Sequence, residues 1–244
     1  QIIDWLQANN APLLQVKIRI SSGKPSTESA NEAGVHLRNF EPDLVVAVGG
    51  GSTIELAKAA WALYEHPHLK SADLLVSPAL PSLRKRSRLV ALPTTFGSGA
   101  EVSPTLGLYQ NQIFRELRVP SLVPDRAILD PFLLAGLPKQ VAAETGFDAI
   151  SHATEGYFST IPAHLSDIHS ISALSTLLDN LESAVLDSEA RFSRESVLYA
   201  SSMAGIASGN KRLGLAHAMA DVLEANFGFR HGEALAFVLP QVIL

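Results

Sequence analysis

In the first half of the chain, segments whose apolar residues have the spacing of a helix alternate with segments that have the pattern of a strand. Helical spacing covers 2–9, 26–39 and 53–61, and strand-like patterns cover 13–20, 43–48, 89–93 and 105–109. The run at 43–48 is almost wholly apolar and rich in β-branched residues, which is typical of a parallel strand buried on both faces. The run at 89–93 is a second candidate of the same kind. This half therefore predicts an α/β fold, with Ser26 or Thr27 capping a helix.

The second half changes in character, because beyond about residue 130 only the helical period remains. The predicted helical segments cover 139–145, 146–157, 165–186, 193–209 and 213–227, and His231 precedes a further one. This change places a domain boundary near 124–130. We therefore predict the fold class α/β + all-α, with an α/β domain over residues 1–127 and a helical domain over residues 128–244.

The composition is that of a globular protein with a sizeable core, since 47% of the residues are hydrophobic and 18% are charged. A net charge of −5 argues against nucleic acid as the main partner, and the basic cluster at 82–88 is interpreted as a solvated loop. The chain has no cysteine, so a bound metal must have nitrogen and oxygen ligands. No apolar run reaches the roughly 18 residues that span a bilayer, and no signal peptide opens the chain. We therefore expect a soluble, cytoplasmic protein.

Two turns that follow predicted strands carry small and hydroxyl residues. The first turn precedes a helix and contains Gly49, Gly50, Gly51 and Ser52. The second includes Thr94, Thr95 and Ser98. A strand, a glycine turn and a helix present free backbone N–H groups to a phosphate, and open α/β sheets bind ligands at such strand ends. The alternative for each is an ordinary tight turn without a ligand. Two such turns support each other, since both would lie at one edge of the sheet.

Acidic and imidazole side chains in the helical half are candidates for a metal site. Asp148 and His152 are four residues apart, so a helix places both on one face. His217 lies among small apolar residues, and His231 precedes a predicted helix. The alternatives are a simple i,i+4 polar pair and histidines satisfied within a core. The residues alone leave these interpretations open.

Four ordered segments over residues 43–244 resemble one known family. The first turn with Lys58 resembles a GGGSxxDxAK motif, in which Glu55 replaces the usual aspartate. The segment 93–101 resembles PTTxGTGSE, and 146–157 resembles GxDAxxHAxExY. His217 and His231, fourteen residues apart, resemble the histidines of HxMAH…HG. Together these motifs are similar to those of the iron-containing (group III) alcohol dehydrogenase family.

The resemblance implies a Rossmann-like dinucleotide-binding domain followed by a helical metal-binding domain, as in dehydroquinate synthase-like folds. It implies that Asp148, His152, His217 and His231 bind Fe(II), or in some members Zn(II). The glycine turn and Ser52 would hold the pyrophosphate of NAD(H) or NADP(H), and the second turn would line the nicotinamide and ribose. The implied activity is hydride transfer between the nicotinamide and a small alcohol or aldehyde. Many members are dimers or larger, so a homo-oligomer is an open expectation.

Three departures from the family pattern affect the expected chemistry. Asp221 stands where the family often has a histidine proposed to relay a proton, so Asp221 is our candidate for that role. Lys211 and Arg212 precede the Leu-Gly pair where small residues are usual, and with Arg230 they suggest an anionic substrate carrying a carboxylate, phosphate or phosphonate. The alternative is that these cations point to solvent. The chain also looks shorter than the family pattern, which leaves NAD and NADP undistinguished.

Other members of the same fold are the competing interpretations. Glycerol dehydrogenase and dehydroquinate synthase types typically use three protein ligands, and maleylacetate reductases use no metal. The four candidate ligands argue against all three. A non-catalytic nucleotide- or metal-binding module is the alternative from a different class.

Overall fold

The computed structural model describes residues 25–76, 80, 82–111 and 113–244. The helix predicted at 2–9 and the strand predicted at 13–20 lie outside these residues. Among the described residues, no helix is long and apolar enough to cross a bilayer.

The first part of the described chain combines helices with a small parallel sheet. Its helices are α1 (Thr27–Phe40), α2 (Gly51–Glu65) and α3 (Ser71–Val76), and its strands are β1 (Leu44–Gly49), β2 (Arg88–Pro93), β3 (Thr105–Gln110), β4 (Ile113–Arg118) and β5 (Arg126–Ala127). The order β1-β2-β5 is parallel throughout, whereas β3 and β4 form an antiparallel hairpin. The second part consists of α4 (Lys139–Phe158), α5 (His164–Leu186), α6 (Arg191–Asn210), α7 (Leu215–Phe227) and α8 (His231–Ile243). The predicted fold class is confirmed.

Local signals explain several of these boundaries. Ser26 caps α1, since its hydroxyl accepts a hydrogen bond from the Ser29 N–H while the Ser29 hydroxyl accepts one from the Ser26 N–H. Helix α7 ends at Gly228, whose φ of 73° is in the left-handed region that favours glycine. The start of α1 and the end of α7 are therefore both explained by the chemistry of the residue at the boundary.

One prediction about the sheet is wrong. The run at 43–48 does form a strand, but β1 alternates between buried and exposed positions. Val45 and Ala47 belong to the same core as Ile54 of α2, whereas Leu44 and Val46 are 48% and 49% exposed. Helix α2 covers one face of the strand, and the apolar side chains on the other face are partly exposed. Hydrophobicity alone could not distinguish these two faces.

Candidate metal and nucleotide site

The two predicted turns meet at one edge of the sheet. Gly49 at the end of β1 is paired with Pro93 at the end of β2, so the turns leave the sheet side by side. A Cβ added to Gly50 would lie 3.1 Å from the Thr95 hydroxyl, and one added to Gly51 would overlap the Ser98 hydroxyl. Helix α2 begins here with Gly50 as its N-cap and without a side-chain cap. The turns therefore form one surface with a free helix N-terminus.

The second turn also touches the helix that carries the candidate ligands. Gly97 has a φ of 104°, and a Cβ there would lie 3.0 Å from Asp148 Oδ2 and 2.7 Å from the Thr145 carbonyl oxygen. Only glycine permits both this backbone conformation and this close approach. The turn thereby brings the sheet edge into contact with α4. A ligand on the sheet edge would lie next to Asp148.

Asp148 is the centre of a buried group of imidazoles. Its Oδ1 lies 3.6 Å from His217 Nε2 and 3.9 Å from His231 Nε2. Ligand atoms of these three residues all lie within 4.8 Å of one another. Asp148 Oδ1 and His217 Nε2 are buried and make no hydrogen bond within the part of the chain that the structure describes. Two buried polar atoms of this kind are costly unless a further group satisfies them.

His152 belongs to the same cluster but has a different orientation. Its ring centre lies 4.6 Å from that of His217. Its Nδ1 lies 3.0 Å both from the Asp148 carbonyl oxygen and from Asp148 Oδ1. The structure thus places His152 beside the other three residues, although it does not join the group whose ligand atoms converge.

Glu155 holds His217 from the opposite side. Its carboxylate accepts hydrogen bonds from His217 Nδ1 at 2.5 Å and from the Ala216 N–H at 2.7 Å. Because Nδ1 donates to Glu155, the lone pair of His217 is on Nε2, which faces Asp148. From the sequence, Glu155 had no predicted role beyond its place in the motif. Its position seven residues after Asp148 could have indicated one, since that spacing places both residues on the same face of a helix.

The charges in this cluster favour a cation. Burial raises the pKa of Asp148, but the neighbouring His152 and His217 outweigh burial and hold it well below its usual range. Burial lowers the pKa of His217, but the adjacent carboxylates of Asp148 and Glu155 outweigh burial and raise the pKa to about 9. A proton on His217 therefore balances two buried carboxylates. A divalent ion bound by the same atoms would supply this positive charge instead.

Asp221 and Glu224 lie on α7 next to His231. His231 Nδ1 is 3.3 Å from Glu224 Oε2 and 3.7 Å from Asp221 Oδ1. The Asp221 side chain is 41% exposed, and burial raises its pKa. The structure therefore places Asp221 at the edge of the cluster, on the side of His231 that faces away from Asp148. The sequence prediction did not include Glu224.

The three cations expected around an anionic substrate have different positions. Lys211 is only 2% exposed, and its ammonium pairs with Asp167 of α5. The prediction that Lys211 binds substrate is therefore not supported, because its charge is already paired with the carboxylate of Asp167. Arg230 pairs with Glu144 at 2.8 Å and with Glu233 at 3.4 Å. Arg212 is exposed and lines a cavity of about 510 Å³, which Glu155 also lines.

Lys58, which follows the glycine turn in sequence, is buried within the protein and contacts backbone carbonyl groups. Its side chain is fully buried, and Nζ donates to the carbonyl oxygens of Ser103 and Thr105 at 2.8 Å and 3.0 Å. Burial lowers the pKa of Lys58 to about 8, and burial raises the pKa of its neighbour Glu55 to about 7. Lys58 therefore connects α2 to Ser103, just before β3, and to Thr105, the first residue of β3.

The structure combines a parallel sheet with glycine turns and an adjoining helical cluster of histidines and aspartate. Two family models match the sequence of this chain. The model of "Iron-containing alcohol dehydrogenase" matches residues 4–131, and the model of "Fe-containing alcohol dehydrogenase family, C-terminal" matches residues 142–244. The chain therefore belongs to the iron-containing alcohol dehydrogenase family.

Individual relatives agree with this assignment. The aldehyde-alcohol dehydrogenase of Streptococcus pneumoniae is 36% identical over 229 residues, which cover 90% of this chain and 26% of that protein. The NADPH-dependent butanol dehydrogenase of Clostridium saccharobutylicum is 36% identical over 222 residues, covering 90% of this chain and 56% of its own length. The chain thus spans between about a quarter and just over half of these relatives.

Solved structures show the same fold. The iron-containing alcohol dehydrogenase of Thermotoga maritima superimposes with a TM-score of 0.89 at 30% identity, over 99% of this chain and 65% of that chain. The sulfoacetaldehyde reductase of Bifidobacterium kashiwanohense, solved in complex with NAD+, gives 0.87 at 26% identity over 99% and 65%.

Proposed function

We propose that this chain carries the metal and nicotinamide sites of an NAD(P)-linked alcohol dehydrogenase or aldehyde reductase. The observation that carries the proposal is the buried pair of unsatisfied atoms, Asp148 Oδ1 and His217 Nε2, beside the glycine turns. We further propose that the chain divides into a dinucleotide-binding domain over residues 1–127 and a helical metal and substrate domain over residues 128–244. Substrate would react where these two parts meet.

The proposed metal ligands are Asp148, His217 and His231, with His152 as the fourth. Three imidazoles and one carboxylate suit Fe(II) or Zn(II), and we place Fe(II) first because of the family. A metal here would act as a Lewis acid toward a carbonyl or alcohol oxygen. Asp148 supplies the negative charge, and Glu155 fixes the His217 ring with its Nε2 toward Asp148.

The glycine turns are the proposed nicotinamide cofactor site. The residues that would hold the pyrophosphate are Gly49, Gly50, Gly51 and Ser52, and those that would line the nicotinamide and ribose are Thr94, Thr95 and Ser98. The support is their common position at the edge of the sheet, next to the free N-terminus of α2. NAD(H) and NADP(H) are both candidates. Gly97 would keep the bound nicotinamide close to Asp148.

Asp221 is the proposed proton-relay group. Its carboxyl lies at the partly exposed edge of the cluster, where solvent can reach it. Burial raises its pKa, which brings the carboxyl closer to the range in which it can exchange a proton. Asp221→Asn would lower kcat while leaving the metal content unchanged. Loss of the metal in that variant would instead assign Asp221 a structural role.

The substrate is proposed to be a small aldehyde or alcohol. An anionic substrate is the second candidate, and it now depends on Arg212, which makes no salt bridge with any of the described residues. A solved relative is named a sulfoacetaldehyde reductase, which supports keeping this candidate. The test compares kcat/KM for an anionic aldehyde and its neutral analogue in the wild type and in Arg212→Ala. A selective loss for the anionic aldehyde supports the idea, and equal losses for both exclude it.

The experiment that tests the proposed function is a panel of short aldehydes, neutral and anionic, assayed with NADH and with NADPH after reconstitution with Fe(II) or Zn(II). Metal-dependent oxidation of the reduced cofactor is expected. Turnover that does not depend on metal would favour a metal-free reductase of the same fold. Bound nucleotide without metal and without turnover would favour a non-catalytic module.

A further inference from the structure

Glu224 joins three elements around the candidate metal site. The Tyr109 hydroxyl on β3 donates to Glu224 Oε1 at 2.8 Å, and His231 Nδ1 lies 3.3 Å from Glu224 Oε2 at the start of α8. Glu224 itself lies on α7, and its side chain is 12% exposed. One carboxylate thus connects the β-hairpin with two helices. Neither Tyr109 nor Glu224 belongs to the motifs that identify the family.

This contact determines which nitrogen of His231 is available. An ionised carboxylate can only accept, so His231 must donate from Nδ1 to keep the hydrogen bond. The lone pair of the neutral ring then lies on Nε2, which is 3.9 Å from Asp148 Oδ1. Glu155 acts on His217 in the same way. Both histidines therefore direct Nε2 toward Asp148 through a carboxylate behind the ring.

Tyr109 completes the arrangement by occupying the other oxygen of Glu224. Burial and the hydrogen bond to Glu224 raise the pKa of Tyr109, which keeps its hydroxyl protonated as a donor. Asp221 also faces His231 Nδ1, but it is farther away at 3.7 Å and more exposed. Glu224 is therefore the better placed partner of the two.

We propose that Glu224 is a positioning residue, which holds His231 with Nδ1 protonated and Nε2 free and is itself fixed by Tyr109. The proposal rests on the proposed metal site for its effect on metal affinity. The orientation of the ring, however, is a property of the protein without metal. The two consequences can therefore be measured separately.

Glu224→Gln is the decisive variant because the amide has a single acceptor oxygen. Glutamine can accept from Tyr109 or from His231, but not from both, and its NH2 group faces a second donor. Tyr109→Phe removes only the hydroxyl and leaves the carboxylate with His231. Glu195→Gln and Tyr199→Phe are the matched controls, since this exposed pair on α6 has the same tyrosine–carboxylate bond at 3.3 Å.

The first measurement is the tautomer of His231 by ¹⁵N NMR on the metal-free protein, at a pH where the ring is neutral. The wild type is expected to show protonated Nδ1, and Glu224→Gln a mixture of both tautomers. The second measurement is the zinc dissociation constant by chelator competition. Glu224→Gln is expected to bind about 10–100-fold more weakly, Tyr109→Phe less weakly than that, and both controls like the wild type.

The wild type with protonated Nε2, or Glu224→Gln with unchanged tautomer and zinc affinity, would overturn the proposal. An equal loss of affinity in the controls would also overturn it, because the effect would then be general. A wild type that binds no zinc would refute the proposed metal site instead. In that case the tautomer measurement alone would still decide the role of Glu224.

Discussion

The close contact between α8 and α4 places His231 next to Asp148, and a substitution at this contact tests whether the packing of the two helices determines the metal site. Gly232 directly follows His231, and a Cβ added there would overlap the Glu144 carbonyl oxygen and lie 2.5 Å from its carbon. Ordinary contacts begin near 3.4 Å, so the contact with the carbon alone requires the two helices to separate by about 0.9 Å (3.4 minus 2.5), and the closer carbonyl oxygen requires more. Because both atoms belong to helix backbones, no side-chain rotation can relieve the overlap.

Even about 0.9 Å is a large fraction of a metal–nitrogen bond, whose length is about 2.0–2.1 Å. His231 would move with α8, while Asp148 would stay on α4. We expect Gly232→Ala to weaken zinc binding by about 10–100-fold. Overpacking should also destabilise the metal-free protein by about 1–3 kcal/mol, partly offset by the higher helix propensity of alanine.

The matched control is Gly228→Ala, three residues before His231. A Cβ at Gly228 meets nothing within 4 Å, but its φ of 73° disfavours alanine. This control should lose about 1 kcal/mol of stability and retain its zinc affinity. Chelator competition and calorimetric unfolding of the metal-free proteins measure both quantities. Wild-type zinc affinity in Gly232→Ala, or an equal loss of affinity in Gly228→Ala, would show that the contact between α8 and α4 does not position His231.

Three further variants test other parts of the account. Glu155→Gln should weaken zinc binding about 10–100-fold by releasing the His217 ring, and unchanged affinity in chelator competition would contradict this role. Lys58→Met should lower the free energy of unfolding by about 3 kcal/mol, because it leaves two carbonyl oxygens without their donor. An unchanged midpoint in urea unfolding would show that stability does not depend on the ammonium group. Gly51→Ala should raise the Kd for NADH or NADPH roughly tenfold, about 1.4 kcal/mol, since the added Cβ meets Ser98. Fluorescence titration measures it, and wild-type binding would place the cofactor elsewhere.

Features that depend on local periodicity could be predicted from the sequence. The helix that carries Asp148 and His152 follows from its apolar spacing and from the absence of proline. The parallel pairing of β1 and β2 follows from two apolar runs that each end in a small-residue turn. The capping of α1 by Ser26 likewise depends on a few adjacent residues.

Features that depend on packing between distant segments could not be predicted. Lys211 and Arg212 are neighbours in sequence, but the end of α6 directs Lys211 to Asp167 and leaves Arg212 exposed. Tyr109 and Glu224 are 115 positions apart, so no local pattern relates them. The open face of β1 depends on which helices cover the sheet. Each of these outcomes requires the tertiary arrangement.

The central claim is that Asp148, His152, His217 and His231 bind one divalent ion. Anomalous diffraction at the zinc edge, from crystals of the zinc-reconstituted protein, tests it most directly. We expect a single strong peak per chain, within bonding distance of Asp148 Oδ1, His217 Nε2 and His231 Nε2, with His152 turned toward it. A peak elsewhere, or none near Asp148, would show that these residues do not form the metal site.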